Sequence, residues 1–544
     1  MRRSQPIPVN QSKSRWHFMD KEETFQRMIC TAAIQADLRG SSVRSATYTA
    51  AAGVVAFFCR IGSTMILARL VLPEHFGLLA MVAAVVAFAE QFRDLGLSTA
   101  TVQANSLTRQ QVSNLFWVNV GCGTLIALVV AALAPVLAWF YRDARLVPVT
   151  LAIALTPFLG GLGVQHQALL TRQLKLGRIS SIRVGSALFS DLLGIGLAFA
   201  GAGYWALVIR EITRNLFVLL GIVFTCRWLP ALPARTGGMK NLFAFGGNLT
   251  AANMLSSLVG NADKILLGRY FGPAATGFYR QAQFLISAPM DQVVHPIFRV
   301  SEPGLSSLQH EPVRYRNYYR KILSMVSLLT MPLSVLVAVY APECTMILLG
   351  AKWLPSAELV RILAVSTFLT PSVWTAHLVL LTLGRGPQYL RLKITENLVF
   401  LGLVGIGLQF GATGVAAVGP AMMFLMMGPT LWYCFRDSPV SQSTFWQGIF
   451  KPLVASLFML CVLLALNAIS PLDHPLAAAL RGGGGGGIAY LACFCLLPGG
   501  LSEIRSLVGD IRAAFARKAG KPGKLSQSSR AGSVGELAGS VPPP

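Results

Sequence analysis

Charged residues are scarce in this sequence, and acidic residues are the scarcer kind. Only 12% of the 544 residues are charged and 54% are hydrophobic, whereas a soluble domain carries about 25% charged residues. A soluble fold would have to bury all of the apolar runs in protein, so the composition favours a membrane protein. Lys and Arg number 46 against 22 Asp and Glu. This excess does not indicate nucleic-acid binding, because the cations lie in particular loops of an apolar chain.

Signatures of metal-binding and redox sites are absent as well. The 9 cysteines include no Cys-x-x-Cys pair, and those inside apolar runs are expected to behave as small core residues. No Asp-x-Asp motif occurs, and the longest loop expected outside the membrane, near residues 341–357, is short. A membrane polymerase or glycosyltransferase would usually show a large outside loop or such a motif. We therefore expect no enzymatic activity, no catalytic residue, no metal site and no cofactor other than a coupling ion.

Long apolar runs, by contrast, are abundant. Because a membrane-spanning helix needs roughly 20 apolar residues, the runs predict an all-α integral membrane protein with about fourteen transmembrane helices. They lie near residues 48–70, 76–92, 115–140, 146–170, 179–200, 204–226, 242–267, 277–298, 322–340, 359–383, 392–410, 415–435, 453–469 and 476–497.

The distribution of basic residues predicts how these helices are oriented. Lys and Arg are concentrated in every second loop, such as the one after the eighth helix, which holds Arg314, Arg316 and Arg320. The intervening loops hold few, and those near Gly203 and Gly411 hold none. Since cytoplasmic loops carry the excess of Lys and Arg, this alternation places both termini in the cytoplasm.

One short stretch occurs twice, at residues 66–77 and 266–277, and we call each copy an elbow. Three positions recur at a constant offset of 200: Arg69, Pro73 and Gly77, which return as Arg269, Pro273 and Gly277. We interpret each elbow as a turn between two membrane helices on the outer side. The Arg can bond the last carbonyls of the incoming helix, the Pro cannot continue that helix, and the Gly allows a close start of the next.

The elbows follow the first and the seventh predicted helix, so the repeated unit has six helices and the two lobes share one orientation. We therefore expect an N-terminal lobe at 47–235, a C-terminal lobe at 236–440, and two extra helices at 441–500. Residues 1–46 form a basic cytoplasmic extension, unless Met19 or Met28 is the true start, and residues 501–544 a disordered basic tail. The last helix begins with the glycines 482–487, which predicts a flexible or unwound start or indicates a sequence error.

Three arginines inside predicted helices are the strongest candidates for a site. Arg60 lies in the first helix, and Arg210 and Arg214 lie one turn apart in the sixth. A charge within a span is costly in lipid and is expected to face a cavity or a partner. Arg60 and Arg210 lie at similar depth, roughly 10–20 Å from a membrane surface. They predict a cationic cavity that binds an anionic substrate.

Acidic residues near these arginines leave alternatives open. Arg60 can simply pair with Asp191, and the other two arginines can pair with Glu211 and Glu90. Asp191, Glu211 and Asp291 are also candidates for coupling to H⁺ or Na⁺ or for internal ion pairs. The sequence does not decide between H⁺ and Na⁺ as the coupling ion.

Several stretches together resemble a known family. The carrying segments are Arg69 to Gly77, Asp94-Leu95-Gly96-Leu97-Ser98 with Val102-Gln103, Phe116-Trp117-Val118-Asn119, Gln167 to Arg172, Asn261 to Arg269, and Lys352-Trp353-Leu354-Pro355 with Leu363-Ala364. In this order they resemble the polysaccharide exporters of the multidrug/oligosaccharidyl-lipid/polysaccharide superfamily, the Wzx-type flippases of the exopolysaccharide/lipopolysaccharide branch. The resemblance covers about residues 46–435.

The resemblance implies a substrate, a location and partners. It implies that the protein flips polyprenyl-diphosphate-linked oligosaccharide repeat units across the bacterial inner membrane by alternating access. Membrane lipids are expected contacts, and a polysaccharide polymerase and co-polymerase are candidate partners; nucleic acid is not. The alternatives are a drug/cation antiporter of the same superfamily, which should favour acidic cavity residues, and a membrane polysaccharide polymerase or glycosyltransferase.

Overall fold

The computed structural model describes residues 38–94, 96–104, 107–234, 259–470, 472, 474–505 and 509. Helices account for nearly all of this part of the chain, which contains no strand. The α-helices are α1 Leu38–Leu70, α2 Pro73–Asp94, α3 Leu97–Gln103, α4 Arg109–Ala132, α5 Ala134–Tyr141, α6 Leu146–Ile153, α7 Leu155–Arg172, α8 Leu176–Phe199, α9 Tyr204–Cys226, α10 Ala262–Ser307, α11 Pro312–Val339, α12 Ala341–Leu348, α13 Ser356–Thr382, α14 Gly386–Gly407, α15 Gly411–Phe435, α16 Gln442–Ile469 and α17 Pro475–Leu496. Short 3-10 helices lie at Ala351–Trp353 and Leu408–Phe410.

The predicted all-α membrane class is confirmed. Within the described ranges, 9 segments are long and apolar enough to cross a bilayer, and one of them, Gly386–Phe435, contains both α14 and α15. The count of fourteen stays a prediction, because most of the predicted helix at 242–267 lies outside the described residues. The same holds for most of the 1–46 extension and the 501–544 tail, and for the lobe boundary at 235–236.

Each predicted lobe contains a buried apolar core, and the core of the first also includes Leu349 and Trp353 from the second. In the first lobe, side chains of α1, α2, α4, α6 and α9 pack together around Leu67, Leu78 and Met81, all of which are fully buried. In the second, α11, α13, α15 and α16 surround Tyr319 and Phe445. These cores fix the rotation of the helices, and that rotation decides which polar side chains face the space between the lobes.

The two elbows lie against each other. A Cβ atom built on Gly77 would lie 1.7 Å from the carbonyl oxygen of Pro273, and one on Gly277 would lie 2.0 Å from that of Pro73. Only glycine fits at such a distance. The first elbow separates α1 from α2, whereas in the second the helix is interrupted at Gly272, whose φ is 78°. The N-terminal ends of the two segments that follow the elbows therefore cross at their glycines.

The glycine run does not produce the unwound start that the sequence led us to expect. Residues 482–487 lie inside the continuous helix α17. A Cβ on Gly482 would lie 2.2 Å from the ring of Tyr340, and one on Gly486 would lie 2.9 Å from Leu463 and Met459. Close packing of this glycine face against larger side chains offsets the low helix propensity of glycine, which costs up to about 1 kcal/mol per position.

Candidate functional site

A cavity of about 390 Å³ lies between the lobes, and we call it the interlobe cavity. Side chains of α1, α2, α9 and α10 line it. The basic residues among them are Arg60, Arg210, Arg214, Lys264 and Arg280. The three predicted arginines are thus brought together at one cavity wall, joined by two basic residues from the second lobe. Their assignment to substrate binding stays a prediction.

Arg60 does not pair with Asp191, contrary to the simplest structural alternative. Asp191 is instead bound by Arg210, whose Nε donates to Asp191 Oδ1 at 2.6 Å. The guanidinium of Arg60 lies over the ring of Phe284, 4.8 Å from its centre, and forms no ion pair within the described part of the chain. A cation held against an aromatic face keeps its charge available to a ligand.

Arg214 has a carboxylate partner on its own helix. Its Nη2 donates to Glu211 Oε1 at 2.5 Å. The other carboxylate considered as its partner, Glu90, binds Arg93 instead, at 3.1 Å. Side chains on one turn of a helix meet readily, which explains why the local pair forms in place of the distant one.

Sequence reasoning missed Arg280. The Nη1 atom of Arg280 is buried and donates to no described residue. Its signal was present, since Arg280 lies inside the predicted span at 277–298 and a charge there is costly. Lys264 Nζ lies 3.9 Å from the carboxylate of Asp263, and the Lys264 side chain also lines the cavity.

The charges at the interlobe cavity do not cancel. The carboxylates that pair with its basic residues are Asp191, Glu211 and Asp263, so the basic groups outnumber them by two. The unpaired ones among the described residues are Arg60 and Arg280, one from each lobe. Arg60 lies about 15 Å along α1 from the end of that helix at Leu70, which is near the middle of a ~30 Å hydrocarbon core. Such a position suits an anionic group that bridges both lobes.

A larger cavity of about 940 Å³ lies within the first lobe. Arg60 and Arg214 line both this cavity and the interlobe one, so the two spaces adjoin at these side chains. Arg183 also lines it and donates to Gln167 at 3.3 Å. Basic and polar side chains therefore form part of this wall, beside apolar ones such as Leu159 and Ile222. The polar part can accommodate a hydrated or sugar-bearing group in addition to an anion.

A third cavity, of about 330 Å³, lies in the second lobe between α10 and α13. Asp291 lines it, and none of the described residues around it is Lys or Arg. The carboxylate of Asp291 lies 3.5 Å from His295 Nε2, and its side chain is 45% exposed. Ion coupling through Asp191, Glu211 or Asp291 stays a prediction; the structure places the first two beside arginines and the third in this separate cavity.

The elbow arginines contact the opposite lobe and line none of these cavities. We expected Arg69 to bond carbonyls of its own helix, but its Nη2 donates to the carbonyl of Ile347 at 2.9 Å. The last carbonyls of α1 are satisfied from the other lobe: Trp353 Nε1 donates to Ala68 O at 2.8 Å. In the second elbow, the Arg269 guanidinium lies 5.6 Å from the centre of the Phe140 ring. The lobes are thus tied together at the elbow end.

Comparison with known proteins identifies the family. Residues 66–358 match the sequence profile of a family described as polysaccharide biosynthesis protein. The teichuronic acid biosynthesis protein TuaB of Bacillus subtilis (strain 168) is 26% identical over 382 residues, which cover 68% of this chain and 78% of TuaB. The lipopolysaccharide biosynthesis protein WzxC of Escherichia coli (strain K12) is 23% identical over 79% of this chain and 89% of WzxC.

The fold is also shared with a solved structure. Lipid II flippase MurJ in its inward closed conformation superposes with a TM-score of 0.65 at 13% identity, covering 83% of this chain and 98% of MurJ. At that identity the likeness shows the fold alone. The predicted family resemblance is nevertheless confirmed, because the matching profile spans more than half of the chain. This multi-pass membrane protein belongs to the polysaccharide biosynthesis protein family.

Proposed function

We propose that this protein flips polyprenyl-diphosphate-linked oligosaccharide repeat units across the bacterial inner membrane by alternating access of its two lobes. No covalent bond is made or broken in this process. The relatives TuaB and WzxC are named as proteins of teichuronic acid and lipopolysaccharide biosynthesis, and the fold is shared with a lipid II flippase. Both termini lie in the cytoplasm in this proposal, and the elbow end faces the periplasm, as the alternation of basic loops predicts.

The observation that carries the proposal is the excess of basic groups at the interlobe cavity. A diphosphate is a multiply charged anion that guanidinium groups bind through paired, charge-assisted hydrogen bonds. Arg60 and Arg280 are the unpaired cations there, so they are the first candidates to contact it. The same excess disfavours a cationic drug as substrate, because two uncompensated positive charges in a low-dielectric cavity repel it.

The cavity walls and the helix surfaces suit the other two parts of the substrate, the glycan and the polyprenyl chain. The glycan needs a hydrated path, which the cavities beside the arginines provide, while the polyprenyl chain can remain in the bilayer between helices. Contacts at the elbow end hold the lobes together on the periplasmic side. Export then requires that these contacts open while the opposite end closes.

Deletion of the gene with complementation by variants tests the proposal. Cells lacking the protein should lose surface polymer and accumulate lipid-linked repeat units on the inner leaflet. Arg60→Gln and Arg280→Gln should each fail to restore export while the protein stays in the membrane. Arg361→Gln is the matched control, since Arg361 is in the spanning helix α13 but lines none of these cavities.

Three outcomes would contradict all or part of the proposal. Normal surface polymer in the deletion strain would refute a role in export. Lipid-linked units that reach the outer leaflet but are not extended would indicate a polymerase instead. Full export by both arginine variants would refute the cationic cavity while leaving the fold and family intact.

A further inference from the structure

The third cavity, which we call the C-lobe cavity, has a chemistry unlike that of the other two. Its lining includes one carboxylate, one amide, several hydroxyls and an indole, together with the apolar side chains of Ile286, Met290, Leu363 and Pro371, and no basic side chain among the described residues. The residues that carry the argument are Asp291, Gln283, Ser366, Thr370 and Trp374. Its volume of about 330 Å³ falls at the lower end of ligand cavities, which measure roughly 300–1,000 Å³.

The polar atoms of this cavity are mostly placed to accept hydrogen bonds. Ser366 Oγ donates its own proton to Leu363 O at 2.7 Å, and Thr370 Oγ1 donates to Ser366 O at 2.6 Å. Once those protons are committed to the helix backbone, the oxygen lone pairs are what each hydroxyl can offer a ligand. The carboxylate of Asp291 is likewise an acceptor.

Gln283 is also held so that it presents a hydrogen-bond acceptor to the cavity. Its Nε2 donates to Asp263 Oδ2 at 3.1 Å and to Tyr279 Oη at 3.1 Å. Asp263 and Tyr279 are both buried and are themselves joined by a 2.8 Å hydrogen bond. The amide is therefore locked with its two N–H groups engaged, which leaves the carbonyl oxygen as the group that can bind a ligand.

Trp374 completes this wall with an apolar face. Its side chain is 40% exposed although it lies in the spanning helix α13. An indole provides a large flat apolar surface with one polar edge. A pyranose ring has the matching properties, since one face presents C–H groups and its rim carries hydroxyl donors.

The position of the C-lobe cavity relates it to the cationic site. Gln283 and Ser287 line both the C-lobe cavity and the interlobe cavity, so the two spaces share one wall. We propose that the C-lobe cavity is a subsite for uncharged sugar rings of the substrate, with Trp374 stacking on a ring and Asp291 and Gln283 accepting its hydroxyls. This inference rests on the proposed flippase function, because the diphosphate bound at Arg60 and Arg280 would bring the glycan to this wall.

A cation is the competing ligand, because acceptors and a carboxylate also suit Na⁺. Two features favour the sugar. The volume of the C-lobe cavity is more than ten times the roughly 10–15 Å³ that one water-sized particle needs. The basic side chains of the interlobe cavity, on the other side of the shared wall, would also repel a bound cation. A free anion is disfavoured by the Asp291 carboxylate. The two cavities thus suit two parts of one substrate. The anionic diphosphate binds at the arginines of the interlobe cavity, and the neutral sugar binds in the C-lobe cavity.

Transport of two substrates by the full-length protein tests the subsite. The protein is placed in phosphatidylethanolamine–phosphatidylglycerol vesicles and supplied with polyprenyl diphosphate carrying one hexose, or with the complete lipid-linked repeat unit extracted from the source cells. Trp374→Ala should lower the ratio of repeat-unit flux to single-hexose flux by roughly three- to tenfold, the loss expected for one aromatic contact. Trp374→Phe should restore most of the ratio.

Trp432→Ala is the control, because Trp432 is 56% exposed in α15 and lines none of the cavities described. Its flux ratio should equal that of the wild type. An unchanged ratio in Trp374→Ala, or an equal loss for both lipids, would overturn the sugar subsite. Loss of dependence on a Na⁺ or H⁺ gradient at an unchanged ratio would assign the cavity to a cation. Failure of the wild type to move either lipid would instead refute the proposed function itself.

Discussion

The substitution Gly77→Ala tests how closely the elbows pack. The added Cβ would lie 1.7 Å from the carbonyl oxygen of Pro273, whereas real Cβ contacts are not found below 3.0 Å. The obstacle is backbone, so α2 and α10 have to separate by more than an ångström. Overpacking of this kind costs about 1–3 kcal/mol, and here the cost applies to the contact between the lobes.

We expect Gly77→Ala to lower the midpoint of thermal unfolding in detergent and to loosen the elbow end. Loosening is measured with a cysteine at position 64, where Thr64 lines the interlobe cavity and is 7% exposed. In a background without native cysteines, an impermeant thiol reagent applied from the periplasmic side should label Thr64→Cys faster when Gly77→Ala is also present.

The matched control is Gly62→Ala in α1. A Cβ on Gly62 meets nothing within 4 Å, so this change should be neutral or slightly stabilising, because alanine favours a helix by up to about 1 kcal/mol over glycine. If Gly77→Ala left both the unfolding midpoint and the labelling rate at their control values, the elbows would not be in the contact described, and the reasoning would fail.

Three further predictions follow from buried contacts. Trp353→Phe removes the indole hydrogen bond to the end of α1. We expect the free energy of unfolding to fall by about 0.5–1.5 kcal/mol and the cysteine at position 64 to be labelled faster. Unchanged labelling would argue against a role of Trp353 in closing the elbow end. Gly482→Ala places a Cβ 2.2 Å from a tyrosine ring, whereas Gly483→Ala meets nothing within 4 Å; only the first should lower the unfolding midpoint, and equal effects would contradict the packing. Asp191→Leu leaves Arg210 without its partner and should lower the free energy of unfolding by about 3–5 kcal/mol. The double variant with Arg210→Gln should recover part of this loss, and simple additivity would mean that the two side chains are not coupled.

Some helix boundaries were predicted closely and others were not. The predicted helix at 277–298 lies inside α10, and the apolar runs at 115–140 and 146–170 are each divided between two helices. The sixth apolar run was predicted at 204–226, and α9 spans Tyr204–Cys226. Apolar length and loop glycines are local signals, so the sequence alone reveals them. Most of the seventh apolar run lies outside the described residues, so the helix predicted there stays a prediction.

Partner choice within the site could not be predicted in the same way. The sequence placed Arg60, Arg210 and Asp191 at comparable depth, but depth says nothing about the rotation of each helix. Packing of α8 against α9 turns Asp191 toward Arg210 and leaves Arg60 facing the second lobe, where it meets Phe284. Side-chain packing across many residues sets that rotation, and no single motif encodes it.

Contacts between the lobes could not be predicted from the sequence either. Trp353 was recognised only as part of a family motif, yet its indole reaches about 285 positions back along the chain to bond α1. Arg69 likewise leaves its own helix for the carbonyl of Ile347. Such long-range pairs depend on how the two predicted lobes dock, which local pattern and hydropathy do not report.

The reciprocal crossing of the elbows has a kinetic consequence. Each elbow glycine rests on the other elbow's proline, at Gly77 with Pro273 and Gly277 with Pro73. If the lobes separate at this end, as the proposed cycle requires, one rotation breaks both contacts together. Opening is then concerted, without a half-open state in which one contact persists. In the proposed cycle, such an opening would leave little time as a partly open pore, so that the cell would keep its ion gradients while a bulky substrate crosses.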